Sequence, residues 1–378
     1  MENQEEEQKK VSGIKSQEAY EKFKEKELRG TFEELDELRS DYQQAKAQFY
    51  KRVEVWVASF LALVGAFFLL FSILLLVFYV LVVVGLFFGY RHYRVGPYRK
   101  KYERKFKEEL IRPTISFIDE ELQYFPRQKI SDPSIQESLL FPFSYNIREG
   151  DDLVKGSFKG RDLRFSELKL IRKVKDDKSE KKILLFQGLF LVAELEKDLH
   201  CTVVIRPKDF GFTQKKLAYG GLNLGLGLSY SSSNSLKDPR GEGELDPVNL
   251  EDPAFEEIFD VFGNDQVKAR QILNMNALEN LKAFQKEHGD AVFLSFQGSK
   301  LYTAIEIPGG FLDPAIDPHV KKLNFPGLSF EVPGELVFSG GSDNGLSNEE
   351  QLDRFYKDLA IFFRVLEELD PKALKEQE

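Results

Sequence analysis

The sequence is poor in the residues that most often announce chemistry. It has one cysteine, Cys201, and four histidines, His92, His200, His288 and His319. A lone cysteine cannot close a disulfide within the chain, and a large soluble region in an oxidising compartment more often carries paired cysteines, so a reducing compartment is indicated. The histidines are far apart and lack the i, i+4 spacing of a helical zinc site. His200 and Cys201 are the one close pair of soft ligands, and neighbours on a strand face opposite ways. No metal ion or cofactor is expected. An excess of positive charge is also missing. The net charge of −9 argues against nucleic acid as a partner. The opening residues MENQEEEQKK have no apolar core or cleavage site, so no signal peptide is read there and the N-terminus is expected to stay in the cytoplasm.

One further absence is the strongest signal in the chain: no charged residue occurs from Val55 to Tyr90. A bilayer core needs roughly 20 apolar residues of helix, and this run is close to twice that. Two short helices of about 17 residues, Val55 to Phe71 and Ile73 to Gly89 with a turn near Ser72, satisfy the length. No Pro, Asn or Asp marks the turn, and one long tilted span is the alternative. Both flanks are basic, with Lys51 and Arg52 before the run and Arg91, Arg94, Arg99, Lys100, Lys101 and Arg104 after it. The positive-inside rule then puts both ends on the cytoplasmic side of a cytoplasmic membrane, which requires an even number of crossings. The same basic residues are expected to meet anionic lipid headgroups.

Helical stripes flank the run. Thr31 and Glu34 have capping-box spacing and open a seam of Phe32, Leu35, Leu38, Tyr42, Ala45, Phe49 and Val53. After Pro97, Tyr98, Tyr102, Phe106 and Leu110 recur every four residues up to Pro113. The two seams pack together as an antiparallel stalk, or each docks on the soluble domain or a second protomer. The domain plan is a polar tail (1–30), a juxtamembrane amphipathic helix (31–54), a transmembrane hairpin (55–90), a basic juxtamembrane helix (91–126) and a soluble region (127–378).

In the soluble region the period changes to strands at Asp151 to Lys159, Asp162 to Val174, Lys182 to Leu195 and Thr202 to Arg206, with turns at Lys159-Gly160 and Asp176-Asp177. Residues 220–243 are rich in glycine and serine and read as a flexible loop. Asp252-Pro253 starts a helix whose buried face is Phe255, Ile258, Phe259 and Phe262. Asn264 or Asp265 caps the next, which carries Val267, Ala269, Ile272 and Leu273, and a third carries Leu278, Leu281 and Phe284. Ala291 to Phe296 and Lys300 to Ile307 form a hairpin across Gln297-Gly298-Ser299. A last helix, capped by Ser347 or Asn348, carries Leu352, Phe355, Leu359, Phe362, Phe363, Leu366 and Leu369. The fold class is α+β, an antiparallel sheet with packed amphipathic helices behind a helical anchor.

No catalytic constellation emerges. The glycine-rich segment lacks the lysine of a phosphate loop, and Gly227 to Ser231 departs from a nucleophile elbow. The nearest thing to a ligand site is Asp265, Gln266 and Arg270. Gln266 and Arg270 lie one helical turn apart and can present donors to an anion. The structural alternative is that Asp265 caps the helix and Arg270 pairs with a neighbouring carboxylate.

A family resemblance rests on these residues. Val248-x-Leu250-Glu251-Asp252-Pro253-x-Phe255-Glu256-x-x-Phe259-x-Val261 followed by Asp265-Gln266-Val267-x-Ala269-Arg270-x-Ile272-Leu273 resembles the signature of the bacterial domain-of-unknown-function 3137 family, as do 156–167, 186–193 and the hairpin at 294–305. The chain departs from it at Gln271, at Asn274-Met275 and in the long glycine and serine segment. The resemblance implies two adjacent membrane spans ahead of a soluble domain, and implies no reaction chemistry. The expected function is a non-enzymatic binding or scaffolding module for a protein partner or a membrane surface. An enzyme acting on lipid or envelope-derived substrates is the alternative.

Overall fold

The computed structural model describes residues 15–68, 96–141, 145–176, 179–208, 236–237, 244–288, 292–307, 320–325, 328–333 and 347–368, with the separate positions 78, 79, 81, 82, 85, 89, 312 and 314. They fall into two compact units, one of residues 21–111 and 313–352, the other of residues 1–20, 112–312 and 353–378.

The chain becomes helical at α1 (Gln17–Phe23), where Ser16 Oγ accepts from the Ala19 amide at 3.3 Å. It passes through a π-helical stretch, Lys24–Leu28, and continues as the long α2 (Arg29–Phe68). The helix therefore begins well before the capping box expected at Thr31, and residues 17–30 are not a tail. Burial decides this. Tyr20, Phe23 and Leu28 are buried, as is Lys24, whose ammonium is held by Glu21 at 3.1 Å and Glu349 at 3.0 Å. The wider π turn re-aims one side chain without breaking the helix.

In the helical unit, α2 packs against α3 (Gly96–Phe106) and the π-helical Lys107–Ile111 that extends it. Leu35, Leu38, Tyr42 and Phe49 are buried on one helix, and Tyr102, Phe106 and Leu110 on the other. This is the stalk reading of the two seams. Lys105 pairs with Glu34 across it. Tyr102 donates to buried Asn348, whose amide donates to Asp36 at 2.7 Å, and burial pushes the Tyr102 phenol up to about 12. Pro113 does not stop the second helix. It falls within the first turn of α4 (Arg112–Ile118), where its missing N–H costs little, because the π turn has already reset the ladder.

The stalk register runs on into the uncharged run. Phe60 on α2 stacks against Tyr79, ring centroids 5.5 Å apart and planes 7° apart. Along one unbroken helix the two would lie about 28 Å apart. Glu34 with Lys105 and Phe60 with Tyr79 are centred on the same point of the sequence, between residues 69 and 70, close to the turn expected at Ser72. Phe78, Tyr79, Leu81, Val82, Gly85 and Gly89 are helical, and Ser59 Oγ is satisfied by the Val55 carbonyl at 2.8 Å. The Ser72 turn, most of the second expected span, Arg91 and Arg94 lie outside the described residues. Among the described residues no helix is long and apolar enough to cross a membrane. A two-stranded hairpin, β12 (Val320–Phe325) and β13 (Leu328–Pro333), also belongs to this unit.

The other unit is built on a sheet. Its strands are β1 (Gln123–Phe125), β2 (Ile147–Glu149), β3 (Leu153–Phe158), β4 (Arg161–Asp176), β5 (Ser179–Glu194), β6 (Thr202–Pro207), β7 (Leu236–Lys237), β8 (Glu244–Pro247), β9 (Phe259–Gly263), β10 (Val292–Gln297) and β11 (Lys300–Glu306). They pair antiparallel in the order β1-β3-β4-β5-β11-β10-β6-β9-β8-β7, with β2 beside β4. The β3–β4 turn takes positive φ at both Lys159 (50°) and Gly160 (78°), the tight geometry whose twist suits a hairpin. The β10–β11 hairpin sits between β5 and β6, so the centre of the sheet is assembled from distant segments.

Both faces are covered. The segment around α5 (Asp132–Glu137) places Ile130, Ile135, Leu140 and Phe141 against Phe186, Phe190, Val192, Phe293 and Tyr302. On the opposite face Phe158 meets Phe363, centroids 4.1 Å apart, from the last helix. Where β11 ends, its backbone passes so close to Gly188 of β5 that a Cβ there would stand 1.9 Å from the Ile305 carbonyl oxygen.

The helix expected after Asp252 is shorter than the apolar spacing suggests. Only α6 (Pro253–Glu256) forms, and Phe259 to Gly263 is β9, paired with β6 from Val203 to Pro207. Short apolar runs fit either period, and the open ladder of β6 selects the strand. Then follow α7 (Gln266–Ile272) and α8 (Met275–His288), the second capped by Asn274, which accepts from the Ala277 amide at 3.0 Å. Val267, expected on a buried face, is exposed. The last helix, α9 (Asn348–Glu368), opens on a capping box: Ser347 Oγ accepts from the Glu350 amide at 3.1 Å and Glu350 accepts from the Ser347 amide at 2.6 Å. Hydrogen bonds to the carboxyl from the Ser347 amide, then from the Ser347 hydroxyl, hold the Glu350 carboxyl below its ordinary range.

Candidate functional site

Asp265, Gln266 and Arg270 are brought together, and the structure gives each a partner in the fold. Asp265 Oδ1 accepts from the Val267 and Lys268 amides, both at 3.0 Å, which makes it the N-cap of α7. Gln266 Nε2 donates to the Pro247 carbonyl at 2.9 Å, and Arg270 Nε to the Asn249 carbonyl at 3.1 Å. The two donors brace the segment that leaves β8. Arg270 thus meets a main-chain oxygen where a carboxylate was expected.

That brace continues into the cap of α6. Asp252 Oδ1 accepts from the Phe255 amide at 3.0 Å, and its Oδ2 binds Lys282 Nζ at 2.8 Å. The Lys282 hydrogen bond, then the Phe255 amide, lowers the Asp252 carboxyl from its usual range, and Asp252 with Glu279 raises the Lys282 ammonium. The residues that carry the family signature therefore form a small hydrogen-bonded scaffold around residues 247–282.

Of the basic flank, Lys100, Lys101 and Arg104 are exposed on α3, and Arg99 Nε pairs with Glu103 at 2.6 Å. Near the start of α2's uncharged stretch, Gln48, Lys51, Arg52, Val55 and Trp56 line an open cavity of about 350 Å³. The adjacent pair His200 and Cys201 does diverge: the imidazole is exposed beside Asp198 at 3.3 Å, while the thiol is buried and pushed up by that burial.

Sequence reasoning missed one cluster. Carboxylate oxygens of Asp151, Asp152 and Glu167 lie within 4.8 Å of one another, and Asp152 and Glu167 are fully buried. Three oxygens at such spacing suit a hard divalent cation. Protein donors also reach them: Tyr124 Oη donates to Asp152, and the Leu312 amide to Glu167 at 2.5 Å. Nothing in the one-dimensional spacing distinguishes these acids from the many others; pairing β3 with β4 is what brings Glu167 beside the Asp151–Asp152 doublet.

An antiparallel α+β unit on a chain that also carries an antiparallel helical stalk is the class these observations define. Residues 184–370 belong to the family described as Protein of unknown function (DUF3137). No curated protein matches it. Among solved structures, the crystal structure of the mycobacterial trehalose monomycolate transport factor A, TtfA, matches at a TM-score of 0.26 and 10% identity, over 50% of this chain and 76% of that one.

Proposed function

We propose that this chain is a two-span membrane protein whose α+β unit works on the cytoplasmic side as a non-enzymatic binding or scaffolding module. The observation that carries the reading is the shared register of stalk and uncharged run: the helix that pairs through Glu34 and Lys105 continues to Phe60, which stacks on Tyr79. A returning hairpin without a charge from Val55 to Tyr90 has few stable settings outside lipid. Val55, Phe78 and Leu81 are about two-thirds exposed, a wasteful arrangement in water and a favourable one against acyl chains. The basic flanks support cytoplasmic ends. A binding role is favoured over catalysis because the polar groups nearest to a site, Asp265, Gln266 and Arg270, are committed to hydrogen bonds of the fold.

Topology is the decisive test. In a Cys201→Ser background, single cysteines at exposed Gln48 and Lys100 are challenged with a membrane-impermeant maleimide. Both are expected to stay unlabelled in intact cells and to react after permeabilisation. Labelling of one and not the other in intact cells refutes the two-span reading. Cross-linking from the α+β unit in cells is expected to capture a reproducible partner, and a return of background alone counts against the binding role.

A further inference from the structure

One groove on the sheet unit has a charge pattern that the fold does not need. It encloses about 360 Å³ at the ends of β1, β3, β4, β5 and β11, beside the area covered by α5. The strand register sorts its charges into two rows on one face. Gln123, Lys155 and Arg164 stand directly opposite one another across β1, β3 and β4. One step toward the β3–β4 turn, Asp162 lines up with Glu194, since Leu163 pairs with Ala193, and Glu194 faces Lys300.

Like charge therefore faces like charge at two places, Lys155 beside Arg164 and Asp162 beside Glu194, an arrangement that destabilises a sheet surface, and only the Glu194–Lys300 position sets opposite charges across from each other. Neutralisation within the groove is incomplete. Among the described residues, Lys155, Arg164, Asp162 and Glu194 form no ion pair, and Lys155 rests over the Phe125 ring at 4.7 Å. Lys300 looks away to Glu137, 4.0 Å distant. Two residues along a strand separate the rows by about 7 Å. A cavity of this size is in the range of small-ligand sites.

We infer that the groove binds a zwitterion in which a phosphate ester and a primary ammonium are joined by a short bridge. The phosphate lies over Lys155 and Arg164 with the Gln123 amide at its side; charge-assisted N–H donors are the strong binders of such oxygens. The ammonium, with three N–H donors and no acceptor, lies between Asp162 and Glu194. Phosphoethanolamine has this chemistry, either as a soluble compound or as a phospholipid headgroup. The inference stands apart from the membrane topology, which the maleimide experiment tests separately.

Calorimetric titration of the full chain in detergent with O-phosphoethanolamine is the test, with phosphocholine and inorganic phosphate as comparators and with nanodiscs that contain or lack phosphatidylethanolamine. Phosphoethanolamine is expected to bind at least tenfold more tightly than either comparator. Lys155→Gln with Arg164→Gln should weaken it at least tenfold, and Asp162→Asn with Glu194→Gln should do the same while abolishing the preference over phosphocholine. Binding to nanodiscs alone identifies the lipid as the source, and binding of the soluble compound identifies the headgroup chemistry itself; either supports the site. Unchanged affinity in both double variants, equal affinity for inorganic phosphate, or no heat with any probe overturns it. These four side chains are exposed and each double variant relieves a like-charge contact, so thermal melts of the variants are expected to lie no lower than wild type.

Discussion

Gly188 offers the sharpest test of the sheet. Replacing it by alanine would put a methyl group 1.9 Å from the Ile305 carbonyl oxygen, 2.8 Å from the Ile307 nitrogen and 2.9 Å from the Glu306 Cα. All three are backbone atoms of one strand end, so no side chain can swing away. Relief requires moving β11 by roughly 1 Å against β5, and overpacking of this kind costs about 1–3 kcal/mol. The Ile307 amide, which donates to the Gln187 carbonyl at 2.9 Å, stretches with it, for about 1 kcal/mol more. A total of about 2–4 kcal/mol lowers the melting temperature of a unit this size by roughly 5–15 °C. Gly160→Ala is the control: nothing lies within 4 Å of its Cβ position, and only its positive φ of 78° opposes the change, for about 1 kcal/mol. Thermal denaturation of both variants by circular dichroism separates space from conformation. A Gly188→Ala melt within a degree of wild type, or one no lower than that of Gly160→Ala, refutes the close crossing of β11 over β5.

Two further expectations follow from titratable groups. Tyr102→Phe removes the hydroxyl that donates to buried Asn348 and leaves its oxygen without that donor, for about 1–3 kcal/mol. Because burial raises the folded phenol to about 12 from 10.0, wild-type stability from this group is complete below pH 10 and is lost as pH climbs toward 12. In melts across that window the variant should lack this loss, and parallel curves would refute the assignment. Asp252→Asn acts at the other end of the scale. A carboxyl lowered by Lys282 and the Phe255 amide contributes above the ordinary carboxylate range and ceases to contribute as pH falls through its depressed folded value. Wild type and variant should therefore differ at neutral pH and converge in acid, and a gap that persists in strong acid would show that the ion pair is not its source.

Much of this protein is legible from local chemistry. Strands β3 to β6, the turn at Lys159-Gly160, the β10–β11 hairpin, the caps at Asp252, Asp265 and Ser347 and both seams of the stalk follow from period, turn residues and side-chain oxygens that act within a few positions. The errors fall where distant partners intervene. Phe255, Ile258, Phe259 and Phe262 have helical spacing, yet β6 offers an unpaired ladder and takes Phe259–Gly263 as a strand. Residues 17–30 look like a polar tail, yet Tyr20 is buried, its ring stacked on Tyr356 with centroids 3.7 Å apart, and the helix extends to hold it there.

The candidate sites divide in the same way. Asp265, Gln266 and Arg270 could be singled out because one helix turn sets their spacing, but which carbonyls Gln266 and Arg270 reach was decided by the path of β8. The grouping of Asp151 and Asp152 with Glu167, and the two charge rows on β3, β4 and β5, depend on strand register, which no short window of sequence contains. The uncharged run from Val55 to Tyr90 was plain from composition, since desolvating a charge is costly wherever the run lies. That it doubles back needed Phe60 against Tyr79, because hydrophobicity measures length and depth of burial but carries no direction.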